Sequence, residues 1–163
     1  MRIILALPLL ALLACGDDSD TGPDLDVEKA AMPVPPLTQC KFHLQNLHDA
    51  MTQYENVYGS LPSITGAQFW VSFSLTTPPI ISGSELTWYN CPVSATTPGP
   101  GSCEYRGPTF NANPYQPGDI IGADFVGAHG VGQGGHVLLR NGTVLLVSEN
   151  DMLWILAQVQ TSS

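Results

Sequence analysis

The chain has 163 residues, including 14 prolines and 16 glycines, and only 12% of its residues are charged. This length is enough for one domain, and the composition is typical of short elements joined by many loops. The net charge of -9 argues against a nucleic-acid-binding surface, which would need clustered lysines and arginines.

The N-terminus has the form of a bacterial export signal. Met1-Arg2 is basic, and the apolar segment Ile3–Leu13 that follows is too short to span a bilayer. The segment ends in Leu12-Leu13-Ala14-Cys15, which resembles the bacterial lipobox. Residues 1–14 are therefore predicted to be a lipoprotein signal peptide. The alternative is an ordinary secretory signal followed by an incidental cysteine.

Lipidation of Cys15 would anchor the mature chain in a membrane of the cell envelope through a diacylglyceryl cysteine. Gly16, in the position after the lipidated residue, favours the outer membrane if the host follows the enterobacterial rule. Residues 15–36 are acidic and then proline-rich, so we expect a disordered tether. Residues 37–163 are predicted to form the globular domain.

One long amphipathic helix is predicted over Leu37–Gly59. Thr38 fits its N-cap position, and Gly59 fits the C′ position that ends many helices. Six residues spaced by three or four positions form its apolar stripe: Cys40, Leu44, Leu47, Met51, Tyr54 and Tyr58. Such a helix needs a partner surface, which we expect to be a small antiparallel β-sheet.

Shorter elements are predicted after this helix. Thr65 and Gln68 form a capping-box pattern, which favours a helix over Gly66–Leu75. The alternation within Trp70–Ser74 is also compatible with a strand, and the helix is preferred. Two strands are predicted next, at Leu86–Cys91 and Cys103–Pro108.

The second half of the domain contains a clear β-hairpin signal. Asn141-Gly142 is the preferred dipeptide of a two-residue type I′ turn. That turn would pair Arg140 with Thr143 and Leu139 with Val144. Both faces of the hairpin carry valine or leucine, so it is predicted to be central in the sheet, with the long helix over one face.

A final helix is predicted over Met152–Gln160. Asn150-Asp151 would cap its N-terminus. The predicted apolar face consists of Met152, Leu153, Leu156 and Val159, with Trp154 at its edge.

Three cysteines besides Cys15 are disulfide candidates, because an exported domain permits disulfides. A Cys91–Cys103 bond would close a short loop, whereas a Cys40–Cys91 bond would connect the long helix to the sheet. The first pairing is slightly preferred. No histidine or basic residue lies beside any of them in a nucleophile pattern, so a catalytic thiol is not expected.

Several short motifs occur in a fixed order along the chain. They are Cys40-Lys41-x-x-Leu44-x-x-Leu47, Tyr58-Gly59-x-Leu61-Pro62, Cys91-Pro92, Tyr105–Pro108, Gly122–Asp124, His129-Gly130 and Gly134-Gly135-x-Val137-Leu138. Taken in order, they resemble the bacterial prepilin-like proteins of the planctomycete type, whose C-terminal mark is a histidine, nine residues and Asp-Gly. The resemblance implies a pilin-like α+β fold in which a spine helix packs on a small antiparallel sheet.

The chain also departs from that family. Eleven residues, Gly130–Arg140, separate His129 from Asn141-Gly142, and Asn141 replaces the aspartate. The sequence contains neither the Gly-Phe-Thr-x-x-Glu prepilin-peptidase site nor the long apolar helix through which pilins polymerise. The resemblance therefore implies a pilin-like head on a lipid anchor, with type II secretion or pilus-like components as candidate partners.

Two weak candidate metal sites occur in the loops, and no cofactor is expected. Asp124, His129 and His136 flank a glycine-rich loop that could bring three ligands together; the preferred alternative is a loop with surface imidazoles. Structural calcium, which some pseudopilins carry, is a second possibility, although the spacing matches no EF-hand loop. Its candidate ligands are Asp119, Asp124, Glu149 and Asp151.

The sequence thus predicts an α+β protein with a long N-terminal spine helix and a short C-terminal helix. The predicted role is non-enzymatic: a lipid-anchored structural or interaction protein of the cell envelope. The alternative is a ligand- or substrate-binding lipoprotein that uses the aromatic-rich segment Phe69–Trp88.

Overall fold

The computed structural model describes residues 36–93, 101–130 and 132–162. The predicted signal peptide, Cys15 and the tether up to Pro35 lie outside these ranges. Within the described ranges, no helix combines the length and apolar character needed to cross a membrane. The helices are α1 (Pro36–Tyr58), α2 (Ala67–Val71) and α3 (Met152–Gln160), with 3₁₀ helices at Ser72–Ser74 and Gly83–Tyr89. The strands are β1 (Tyr105–Pro108), β2 (Ile120–Asp124), β3 (Gly135–Leu139), β4 (Val144–Val147) and β5 (Thr161–Ser162).

The predicted long helix is confirmed as α1. The helix begins at Pro36. Proline is favoured at the first position of a helix, because an N–H group there would have no partner within the helix. Thr38 lies inside that first turn, so its predicted N-cap role is wrong. Gly59 has a φ of 77°, and its N–H donates to Glu55 O at 2.8 Å, as expected of a helix C-terminus. Most of the predicted stripe is buried, together with Ala50: Cys40, Leu44, Leu47 and Met51.

The five strands form one antiparallel sheet in the order β4-β3-β2-β1-β5. Side chains alternate between its two faces. Leu138 and Ile121 point into the larger core with α1 and α2, whereas Val137 and Ala123 pack with α3. The predicted α+β class is confirmed. The hairpin is not central, because β4 is an edge strand.

The predicted register of the hairpin is wrong by one residue. Leu138 pairs with Val144 and Val137 pairs with Leu145. A type I′ turn needs positive φ at two residues, but only Gly142 has it, at 86°. Gly142 N donates to Leu139 O, and Leu139 N donates to Thr143 O, both at 2.9 Å. These features fit a three-residue loop with a glycine bulge.

Two short elements differ from expectation. The predicted strand Leu86–Cys91 is wrong, because Gly83–Tyr89 is a 3₁₀ helix with a capping box between Ser82 and Glu85. The Ser82 N–H donates to Glu85 Oε2 at 3.0 Å, and this local bonding outweighs the β propensity of the segment. The preferred helix over Gly66–Leu75 is confirmed as α2 and a 3₁₀ turn, but its N-cap is Gly66, without a side-chain cap.

Helix α3 has the predicted bounds but not the predicted buried face. Asp151 is its N-cap and accepts from Leu153 N at 2.8 Å. The buried residues are Trp154 and Ala157. Most of the face predicted to be buried is exposed, namely Met152, Leu156 and Val159. The reason is that α3 carries apolar residues on more than one side, so periodicity alone does not select the side that meets the sheet.

Candidate functional site

A buried polar cluster lies between α1 and the sheet. Cys40 comes from α1, Cys91 from the segment after the second 3₁₀ helix, Asp124 from the end of β2 and His129 from the following loop. One ligand atom from each of these four residues lies within 4.8 Å of the corresponding atom of every other one. No second group of this kind occurs among residues 36–93, 101–130 and 132–162.

The two thiols of the cluster are in direct contact. Cys40 Sγ lies 3.0 Å from Cys91 Sγ, and both residues are buried. The hydrogen bond between the two thiols lowers the pKa of Cys40. The same bond raises the pKa of Cys91, and burial raises the pKa of Cys91 further. Cys40, Cys91 and Cys103 are all free thiols in the structure. The pairing favoured from the sequence, Cys91 with Cys103, is therefore not the one that the structure brings together.

Asp124 is the fully buried acid of the cluster. Antiparallel pairing of β2 with β3 aligns Ala123 with Val137, so Asp124 and His136 become neighbours on the face covered by α1. Asp124 Oδ2 accepts from the His136 N–H at 2.7 Å and from His136 Nδ1 at 3.0 Å. Since a carboxylate only accepts, Nδ1 carries the proton. Asp124 Oδ1 has no hydrogen-bond partner among the described residues.

His129 approaches the same carboxylate from the loop after β2. Its side chain is 3% exposed, and Nε2 lies 3.2 Å from Asp124 Oδ2. Neither ring nitrogen makes a hydrogen bond of acceptable geometry within the described part of the chain. Burial lowers the pKa of His129, but the nearby Cys91 thiol and the charge of Asp124 outweigh burial, so the net shift is upward.

Three unpaired buried atoms in one place are unusual for a folded protein. They are Asp124 Oδ1 and both ring nitrogens of His129. A buried polar atom without a partner costs about 1–3 kcal/mol. The cluster therefore presents two thiols, a carboxylate oxygen and an imidazole nitrogen to a common point. Chemically it can coordinate a cation, or its two thiols can be oxidised to a disulfide.

The structure brings together all three members of the first candidate metal site, Asp124, His129 and His136, and adds two cysteines that sequence reasoning left out of it. The predicted surface imidazoles are in fact enclosed. The proposed calcium ligands are not assembled, since only Asp124 of that set belongs to a group of potential ligands in the described ranges. Asp119 instead accepts from Gln116 N at 2.6 Å, and Asp151 caps α3.

Cys103 and the aromatic residues Trp70 and Tyr89 lie outside the polar cluster and contribute to the packing of the fold. Cys103 is half-buried, and burial raises its pKa to about 12. Trp70 and Tyr89 are buried: Trp70 Nε1 donates to Arg106 O at 3.1 Å, and Tyr89 Oη donates to Trp70 O at 3.0 Å. These two rings belong to the core and do not form an exposed aromatic platform.

The fold and the cluster define a small α+β domain with helices on both faces of an antiparallel sheet and a buried Cys/Asp/His cluster beneath α1. Comparisons with protein-family models, curated proteins and solved structures found no match for this chain.

Proposed function

We propose that this protein is a lipid-anchored protein of the bacterial cell envelope whose pilin-like head binds another protein and catalyses no reaction. The export signal and Cys15 support the anchor, and α1 packed on an antiparallel sheet is compatible with a pilin-like head. The observation that carries the binding role is an apolar stripe on the outer side of α3.

This α3 stripe consists of Met152, Ile155, Leu156 and Val159, whose exposed fractions are 65%, 48%, 42% and 71%. Spacing of three, one and three residues places all four side chains on one side of the helix. Single exposed apolar residues are ordinary, whereas a contiguous apolar patch marks an interaction site. Anchors with this spacing are typical of a helix that binds in the groove of a partner protein.

The chemistry of α3 indicates what kind of surface it would contact. The helix MLWILAQVQ contains no charged residue, so the contact surface of the partner should be apolar and uncharged. An anionic lipid surface is disfavoured, because the chain carries a net charge of -9. Nine residues make a helix only about 14 Å long. A flat contact with a second copy would therefore fall well below the roughly 800 Å² per partner of a stable interface.

A groove that receives the exposed side of α3 is the better fit, and we assign it to a subunit of a type II secretion or pilus-like assembly. The test is an affinity purification of the full-length lipoprotein from detergent-solubilised envelope, followed by mass spectrometry. We expect the wild-type protein to recover subunits of such an assembly, and the I155K/V159K variant to lose them. The matched control is Gln53→Lys on the exposed side of α1, which should retain them.

Thermal unfolding of each variant would verify that the head is still folded. If the I155K/V159K variant recovered the same subunits, the α3 stripe would not be the binding surface. Recovery of the wild-type protein alone, as a monomer, would reject the assembly role.

A second candidate function is small-ligand binding. An open depression of 580 Å³ is lined by Leu75, Ile81, Leu86 and Tyr89, among others, within the same part of the chain as the aromatic-rich segment. A ligand that occupies it should raise the midpoint of thermal unfolding, and Leu86→Lys should abolish the shift. If no compound in a screen of small apolar molecules raised the midpoint of thermal unfolding, the ligand-binding function would be rejected.

A further inference from the structure

We propose that Cys40, Cys91, Asp124 and His129 form a closed zinc site that ties together four separate segments of the fold. The proposal is independent of the binding role of α3, because the cluster lies beneath α1, on the opposite face of the sheet.

The first argument is the convergence of donor atoms. The four ligand atoms lie within 4.8 Å of one another, close enough for small side-chain movements to bring all four onto one small cation. Two thiols, one imidazole and one carboxylate are all accepted ligands of zinc, which favours four-coordinate tetrahedral sites. Soft sulfur ligands disfavour magnesium and calcium, which prefer oxygen.

The second argument is that a disulfide alone does not explain the cluster. Oxidation of Cys40 and Cys91 would use the two sulfurs and would leave Asp124 Oδ1 and both nitrogens of His129 in the interior without a hydrogen bond of acceptable geometry. A cation bound at the same point gives the carboxylate oxygen and one imidazole nitrogen a partner as well as the thiols. The two residues that a disulfide leaves unexplained are thus the ones that a metal ion requires.

Burial of the ligands indicates a structural site. Cys40, Cys91 and Asp124 are buried, and the side chain of His129 is 3% exposed. Four protein ligands complete a tetrahedral shell and leave no open position for substrate, in contrast to catalytic zinc sites with three. The ion would connect α1, the segment after the second 3₁₀ helix, the end of β2 and the loop that follows it.

His136 is a positioning residue in this arrangement. Its backbone and ring N–H groups both bond to Asp124 Oδ2, which leaves Oδ1 to face the ion. Hydrogen bonds of this kind orient metal-binding carboxylates and histidines, and their loss typically weakens metal affinity by about 10- to 100-fold.

The test uses the full-length protein, purified from the envelope in detergent without chelators. Elemental analysis should find about one zinc per chain. The intact protein, denatured without reductant, should be alkylated at both Cys40 and Cys91. After removal of zinc under reducing conditions, one equivalent of Co²⁺ should produce thiolate-to-cobalt charge-transfer bands and the strong visible absorption of tetrahedral cobalt.

Variants separate the site from general effects on folding. Cys91→Ser and Asp124→Asn should lower Co²⁺ affinity by more than 100-fold, and Cys91→Ser should also weaken the charge-transfer bands. Cys103→Ser, the matched control thiol outside the cluster, should bind Co²⁺ as the wild type does. His136→Gln should weaken binding by about 10- to 100-fold and retain the tetrahedral spectrum, which a general loss of structure would not do.

Measurements on the wild-type protein keep the proposal falsifiable even if a variant does not fold. A Cys40–Cys91 disulfide in the protein from the envelope would overturn it. Weak or non-stoichiometric Co²⁺ binding without charge-transfer bands, or binding that depends on Cys103, would overturn it as well.

Discussion

Helices α1 and α3 pack on opposite faces of the same sheet, and they differ in how much of their apolar surface is buried. Helix α1 buries the stripe that its periodicity predicts, from Cys40 to Met51. Polar contacts hold it as well: Arg140 donates to both carboxylate oxygens of Glu55 at 2.9 and 2.7 Å. Helix α3 turns Trp154 and Ala157 to the sheet and leaves a second apolar stripe exposed.

This difference shows what hydrophobic periodicity can and cannot establish. A helix with one apolar side and one polar side, such as α1, has only one way to pack. The sequence of α3 is apolar on more than one side, so the shape of the sheet surface decides which side is buried. The side that remains exposed is the surface to which we assign the proposed partner.

The largest expected effect comes from the residue that anchors α3. Trp154→Ala should lower the free energy of unfolding by about 3–5 kcal/mol, because the ring is buried among Ile120, Ala123 and Val137. The adjacent Ile155→Ala should change it by less than about 0.5 kcal/mol. Urea denaturation measures both. Equal losses for the two variants would contradict the assignment of inner and outer sides.

A direct comparison of the two helices uses the same substitution in each. Leu47→Ala in α1 removes a fully buried side chain and should cost about 2–5 kcal/mol. Leu156→Ala in α3 removes one that is 42% exposed and should cost well under half as much, since less area is transferred from water. Thermal and urea unfolding of the pair would measure the difference. A similar loss for both would mean that the α3 stripe is covered within the protein.

The smallest effect concerns the start of α3. Asp151 Oδ1 accepts from Leu153 N, so Asp151→Ala should destabilise the protein by about 1 kcal/mol. Asp151→Asn keeps an acceptor at the N-cap and should recover most of the loss. The check is urea denaturation of both variants. If the asparagine variant were as unstable as the alanine variant, the side-chain cap would not be the cause.

The hairpin illustrates how a correct local signal can give a wrong register. Asn141-Gly142 was sufficient to place the turn between two strands. The choice between a two-residue and a three-residue loop depends on which residue adopts positive φ, and here only Gly142 does. A shift of one residue exchanges the two faces of a strand. Val144 is consequently the partner of Leu138 and lies with it in the core beneath α1, whereas Leu145 pairs with Val137 and is 38% exposed.

The cluster beneath α1 was only partly foreseeable. Asp124, His129 and His136 are close in sequence, so a loop site that combines them could be considered. Cys40 and Cys91 lie far from them and from each other along the chain. Their meeting depends on how α1 and the second 3₁₀ helix pack over the sheet. The Tyr105 hydroxyl group and His43 Nδ1 both contact the carbonyl oxygen of Asn90, at 3.2 and 2.7 Å, which fixes the position of the segment that carries Cys91.

The sequence by itself determined the α+β class, the extents of α1 and α3 and the position of the hairpin turn. These depend on local features: periodicity, capping residues and turn dipeptides. Only the structure decided the register of β3 and β4, which depends on the loop conformation at Gly142. It also decided which side of α3 faces the sheet and brought two thiols, a carboxylate and an imidazole together beneath α1. These last two follow from contacts between segments distant in the chain, which compete with local preferences and often outweigh them.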